Sequence, residues 1–111
     1  MNLATIEIDV TQKHIDEGVL CDSTHCMIAK AITSVFGEVY VLPITGIQFI
    51  DQSYLVQMPQ RAVDGLLDFE MHTCKPFTFQ LEIDLDRFDF PELDKAIKES
   101  ENIKYQEVIN L

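Results

Sequence analysis

Val10 to Ala31, VTQKHIDEGVLCDSTHCMIAKA, packs two helix starts, a glycine stop and two of the chain's three cysteines into one run. Thr11 is a residue type that accepts hydrogen bonds from the free amides of a first helical turn, so it caps a short helix over Gln12 to Glu17. Gly18 stands where a left-handed helix end is expected. Asp22 or Ser23 then caps a second helix running to about Phe36, and Gly37 stops it. In that helix Ile28, Ala31, Ile32, Val35 and Phe36 fall on one face. Just upstream, Ala4, Ile6, Ile8 and Val10 alternate with Thr5, Glu7 and Asp9, the period-two pattern of a strand with one buried face. A strand feeding two helices makes the chain a mixed α and β protein.

Downstream, EVYVLP and GIQFI read as strands, and Asp51-Gln52-Ser53 turns the second of them into SYLVQM, which gives an antiparallel meander. Pro59 suits the first turn of a helix in which Ala62, Val63, Leu66, Leu67 and Glu70 continue one stripe, with Gly65 weakening it by about 1 kcal/mol relative to alanine. FTFQLEI, with Phe77, Phe79, Leu81 and Ile83 alternating with polar residues, is a half-buried strand. Pro91 begins a further helix with Leu93, Ala96 and Ile97 inward, and the closing residues Ile103 to Leu111 fit a strand or a helix. The expected fold is α+β: a small, mostly antiparallel sheet of four or five strands with two or three helices on one face. Residues 1–111 make a single domain, with an acidic C-terminal extension, 84–111, packed on it or on a partner. So small a core favours a homo-oligomer.

A chain of 111 residues, 47% hydrophobic, buries roughly two-thirds of its unfolded surface, enough for one core. MNLATIEIDV lacks the basic start and apolar run of a signal peptide, and no stretch approaches the ~18 apolar residues that span a bilayer, so a cytoplasmic location without membrane contact is expected. Three cysteines fit reduced thiols better than a disulfide framework. The net charge of −11, from 19 acidic and 8 basic residues, disfavours general nucleic-acid binding, which rests on neutralising phosphates. Nine of the acids lie between Glu82 and Glu107. A solvated face accounts for them, and a surface that mimics DNA or binds a basic protein is the sharper alternative.

The candidate site is the second helix start. Free amides and the positive end of the helix dipole attract a phosphate or carboxylate there, and Ser23, Thr24, His25 and Cys26 add side-chain contacts. Arg61, near the start of the Pro59 helix, is a candidate phosphate contact alongside Lys13, Lys30 or Lys75, and pairing with an acid such as Asp64 is its plainer role. Ordinary capping is the plainer reading of the helix start, and no P-loop or dinucleotide fingerprint is present. Cys26 in a first helical turn with His25 or His14 nearby has the ingredients of a nucleophile, but a cysteine packed under the helix uses the same residues. Cys21, His25, Cys26, His72 and Cys74 are ligand types that zinc accepts, at spacings unlike those of closed tetrahedral sites. Asp84, Asp86 and Asp89 lack the glycine and terminal glutamate of an EF-hand loop. No catalytic residue, metal or cofactor is assigned.

The run Val10-Thr11, Ile15, Gly18-Val19, Asp22, Cys26, Ile28-Ala29 and Ala31, followed by LVQMPQRAVDGLLDFEMHTCKPFTFQL with its Pro-Phe-x-Phe strand, resembles a family of small uncharacterised bacteriophage and bacterial proteins over about residues 5 to 83. This sequence departs from the family pattern at Met27, where a proline is usual, and in its acidic tail. The resemblance implies a phage or mobile-element context; by analogy with other small phage proteins the expected role is a non-enzymatic accessory protein, in the host cytoplasm, that acts on host machinery or host defence. One expected mode is sequestration of a small, nucleotide-like anionic defence signal at Ser23, Thr24, His25, Cys26 and Arg61. The other is inhibition of a host protein, or DNA mimicry, through the acidic C-terminal surface.

Overall fold

The computed structural model describes residues 2–43 and 45–110. The alternation read in the first residues places Ala4, Ile6, Ile8 and Val10 inside strand β1 (Asn2–Val10), each essentially without solvent exposure, while Thr5, Glu7 and Asp9 point outward. Burying the two isoleucines alone is worth about 2–3 kcal/mol each. Strand β1 is the middle of a three-stranded antiparallel sheet, flanked by β5 (Phe77–Asp84) and β6 (Ile103–Asn110). Ile8 lies opposite Phe79 on one side and Ile103 on the other, so three apolar faces coincide. Thr5 pairs with Glu107 and Ile6 with Tyr105, which leaves Gln106 as the extra residue of a bulge.

The meander forms a second antiparallel sheet of its own, in the order β2 (Val39–Leu42), β3 (Gly46–Phe49) and β4 (Tyr54–Val56). The single sheet of four or five strands is therefore corrected to two sheets of three among the described residues, and the two or three helices to four. Alternation reports that a segment is a strand; it says nothing about which neighbour that strand selects. The Asp84 N–H donates to the Tyr54 hydroxyl at 3.0 Å, tying β5 to β4.

Helix α1 (Gln12–Glu17) begins at Thr11 in a reciprocal capping box: the His14 N–H donates to the Thr11 hydroxyl and the Thr11 N–H donates to His14 Nδ1 at 3.0 Å. Gly18 is not left-handed; its φ of −69° is open to any residue. What demands glycine is space, since a Cβ there would lie 2.7 Å from the Met27 nitrogen and 2.9 Å from the Phe69 ring. Helix α2 runs over Met27–Phe36, starting later than Asp22 or Ser23, and ends at Gly37 with φ 77°, as a glycine stop requires. It buries Met27, Ile28, Ala29, Ala31, Ile32 and Phe36 and packs on both β1 and β2.

Helix α3 (Gln60–Glu70) has Pro59 at its N-cap and buries Ala62, Gly65, Leu66 and Phe69. Leu67, expected in that stripe, is 54% exposed, and Glu70 is exposed too. Gly65 lies under the Phe77 ring, where a Cβ would come within 2.3 Å of the ring carbon. Helix α4 (Leu93–Glu99) buries Leu93 and Ile97 as its spacing predicts. Beyond it the segment left open as strand or helix is strand β6, with Leu111 outside the described residues. Phe88, Leu93, Ile97 and Ile103 of the acidic segment join the common core. Phe88 meets Phe36, Phe49 and Tyr54 edge-on, with ring centroids 5.7, 5.3 and 5.2 Å away.

Candidate functional site

Residues 21–26, where the anion site was expected, fold into a closed turn ahead of α2. Asp22 directs it. One of its carboxylate oxygens accepts from the Thr24 N–H at 2.9 Å, the Thr24 hydroxyl at 2.9 Å and the His25 N–H at 3.0 Å. These bonds to its ionised form, led by the Thr24 amide, hold the Asp22 carboxyl down at about 2. The Asp22 carbonyl accepts the Cys26 N–H at 3.0 Å, and the Val19 N–H closes the loop onto the His25 carbonyl at 2.8 Å. The exposed His25 ring adds Nδ1 at 3.2 Å from the same Asp22 oxygen and 2.8 Å from the Thr24 hydroxyl. Two amides of the expected site, those of Thr24 and His25, are thus engaged by the protein's own carboxylate, whose negative charge further repels an anion.

Cys26 is the N-cap of α2 but makes no side-chain cap bond. It is only 5% exposed, and burial pushes its thiol above the ordinary cysteine range, opposite to what an activated nucleophile needs. Ser23 is anchored through its carbonyl, which accepts the Val41 N–H at 2.8 Å. Arg61 does not join these residues. Its guanidinium sits 4.4 Å from the centroid of the Phe77 ring, a cation–π stack, and Asp64 instead accepts from the Gln60 side chain at 2.9 Å. Of the sequence-selected residues, Ser23 and Cys26 come together as the wall of one cleft, while Arg61 is not among the residues that line it.

That cleft has a volume of about 280 Å³. Cys26 from the start of α2, Val41 and Leu42 from β2, and Leu66 and Phe69 from α3 give it an apolar lining. Its two charged lining residues, Asp22 and Glu70, are both acidic. Sequence reading missed Leu42, Leu66 and Phe69 as site residues. The spacing of Ala62, Leu66 and Phe69 shows which face of α3 turns inward, but nothing in the sequence tells that this face meets Cys26. The elements around the cleft carry further exposed apolar side chains: Val19 and Leu20 between α1 and α2, and Leu67 and Met71 at the end of α3.

Four of the five possible zinc ligands divide between two cavities, and His25 lines neither. Cys21 and Cys26 line the cleft, and His72 and Cys74 line a neighbouring hollow that shares Phe69 with it. Cys74 Sγ lies 3.5 Å from the Met27 sulfur. Among the described residues no group of three or more histidine, cysteine, aspartate or glutamate side chains is placed to hold a metal ion. None of the described helices is long and apolar enough to cross a membrane. No family model, curated protein or solved structure matches the chain.

Proposed function

We propose that this chain is a non-enzymatic accessory protein of phage type that neutralises a host component by binding it, and that the component is a protein. The carrying observation is the chemistry of the α2–α3 cleft, which is apolar in its lining and acidic in both of its charges. Such a site favours one large apolar side chain with a lysine or arginine beside it: the side chain displaces water from Leu42, Leu66 and Phe69, and the neighbouring cation meets Asp22 or Glu70. The net charge of −11 adds long-range attraction for a basic partner surface. Within the 84–111 segment Phe88, Leu93, Ile97 and Ile103 face the core, and its exposed apolar residues Val108 and Ile109 lie on an edge strand, whereas the cleft is the concave apolar site with acidic residues beside it. Sequestration of a small nucleotide-like signal at Ser23 to Cys26 has less support, because Asp22 already engages the Thr24 and His25 amides in the turn ahead of α2.

A random peptide library displayed and selected against the purified protein tests this reading. The expected enriched motif is a large apolar residue adjacent to lysine or arginine. Leu42→Asp, at a position already 38% exposed, is expected to abolish selection without unfolding the protein. Glu70→Lys is expected to exchange the basic preference for an acidic one. Enrichment of peptides without that motif, or binding that survives Leu42→Asp, overturns the proposal.

A further inference from the structure

A larger groove, of about 740 Å³, runs between α1, α2 and the turn joining α4 to β6. Its charged lining is of both signs. Helices α1 and α2 contribute Lys13, Lys30 and Glu17, the end of α4 contributes Glu99, and the α4–β6 turn contributes Glu101. The turn is fixed in place: the Asn102 amide donates to the Asp9 carbonyl at 3.1 Å and to the Ala31 carbonyl at 2.8 Å, and the Ser100 hydroxyl accepts the amides of Asn102 and Ile103 at 3.2 and 3.0 Å. The bonded pair Asn102 and Ala31 are the chain neighbours of Glu101 and Lys30. Even so, among the described residues none of these five charges has an opposite charge within 4.0 Å. In a chain with 19 acidic residues to 8 basic ones, two lysines line the same groove as three glutamates without an ion pair to any of them.

We infer that this groove is a binding site for a small dipolar ligand, one that carries an anionic group for Lys13 and Lys30 and an ammonium-type group for Glu99 and Glu101. A simple anion placed against the lysines meets the field of Glu17, Glu99 and Glu101, and a simple cation meets that of the lysines; a ligand with both charges meets lining groups of both signs. Polar contacts are at hand. His14 accepts the Thr11 N–H at Nδ1, which leaves its Nε2–H as a donor, and Ser34 lies one helical turn beyond Lys30 on α2. This groove is separate from the cleft of the proposed function, so either reading can fail alone.

The probe is O-phosphoethanolamine, which joins a phosphate to an ammonium, with inorganic phosphate and ethanolamine as its two halves, followed by amide NMR titration of the whole protein. The expected result is a saturable shift of the amides around Lys13, Lys30, Ser100 and Glu101, with affinity at least about tenfold above either half. Lys13→Gln with Lys30→Gln is expected to weaken the probe by at least about tenfold, and Glu99→Gln with Glu101→Gln to remove its advantage over phosphate. Both pairs are to be shown folded by an unchanged amide spectrum elsewhere. No saturable shift at about 10 mM probe, shifts outside the groove, or phosphate binding as well as the whole probe each overturns the inference.

Discussion

Replacing Phe88 by alanine tests whether the acidic C-terminal segment is part of the cooperative core. Phe88 is 5% exposed and lies just beyond β5, yet its ring contacts Phe36 of α2, Phe49 of β3 and Tyr54 of β4. Returning a phenyl ring to water costs about 2–3 kcal/mol by area. The cavity left among three edge-on rings raises the expected loss to about 3–5 kcal/mol. Against a total of about 5–15 kcal/mol for a domain of this size, that is a large fraction, and it lowers the melting temperature by roughly 12–25 °C. Urea unfolding followed by far-ultraviolet circular dichroism reads it, a suitable probe for a chain without tryptophan. The midpoint falls while the denaturant slope stays constant. Phe88→Leu, which keeps most of the volume, is expected to lose about 1–1.5 kcal/mol. A loss below about 1 kcal/mol for the alanine variant refutes the reasoning and makes the segment an appendage.

Two further outcomes follow from local chemistry. Burial holds the His14 pKa below its ordinary 6.5, so as pH falls the unfolded chain takes up this proton first. The stabilisation is complete above about pH 6.5 and is lost as pH drops through the lowered folded value; comparing urea midpoints of the wild type and His14→Gln at about pH 7.5 and about pH 5 isolates it, and a pH-independent difference between the two contradicts it. Cys21 is exposed whereas Cys26 is buried with a raised thiol pKa, so a thiol reagent is expected to label Cys21 rapidly and Cys26 only on unfolding. Rapid labelling of Cys26 in Cys21→Ser, read by peptide mass spectrometry, would count against the packing described for α2.

The features legible in the sequence are those whose cause is local. The alternation of β1 and β5, the Thr11 cap and the Gly37 stop each depend on residues within a few positions of one another. Asp22 shows how a local signal misleads. It accepts amides two and three residues ahead, just as an N-cap does, but here the bonds close a turn and the helix starts at Met27. Gly18 shows a second ambiguity, because a glycine kept for a tight approach reads like one kept for a left-handed angle. The sheet count was hidden because β1 takes both partners from the distant segments β5 and β6. For the same reason Cys26 reads as a helix-start cysteine, and it is the arrival of Val41 and Leu42 from β2 and of Leu66 and Phe69 from α3 that makes its surroundings apolar.

The position of β1 between β5 and β6 also bears on how the chain is made. Ala4 pairs with Ile83 and with Val108, so during synthesis β1 emerges with both edges bare and waits for β5 before one edge can be zipped and for β6 before the other. The meander β2–β3–β4, closed by short hairpins, has no such delay. A nascent chain stalled before residue 77 therefore presents an apolar strand without a partner beside a sheet whose strands pair locally, and it is at this stage that a holding chaperone, or another copy of the same strand, finds its opening.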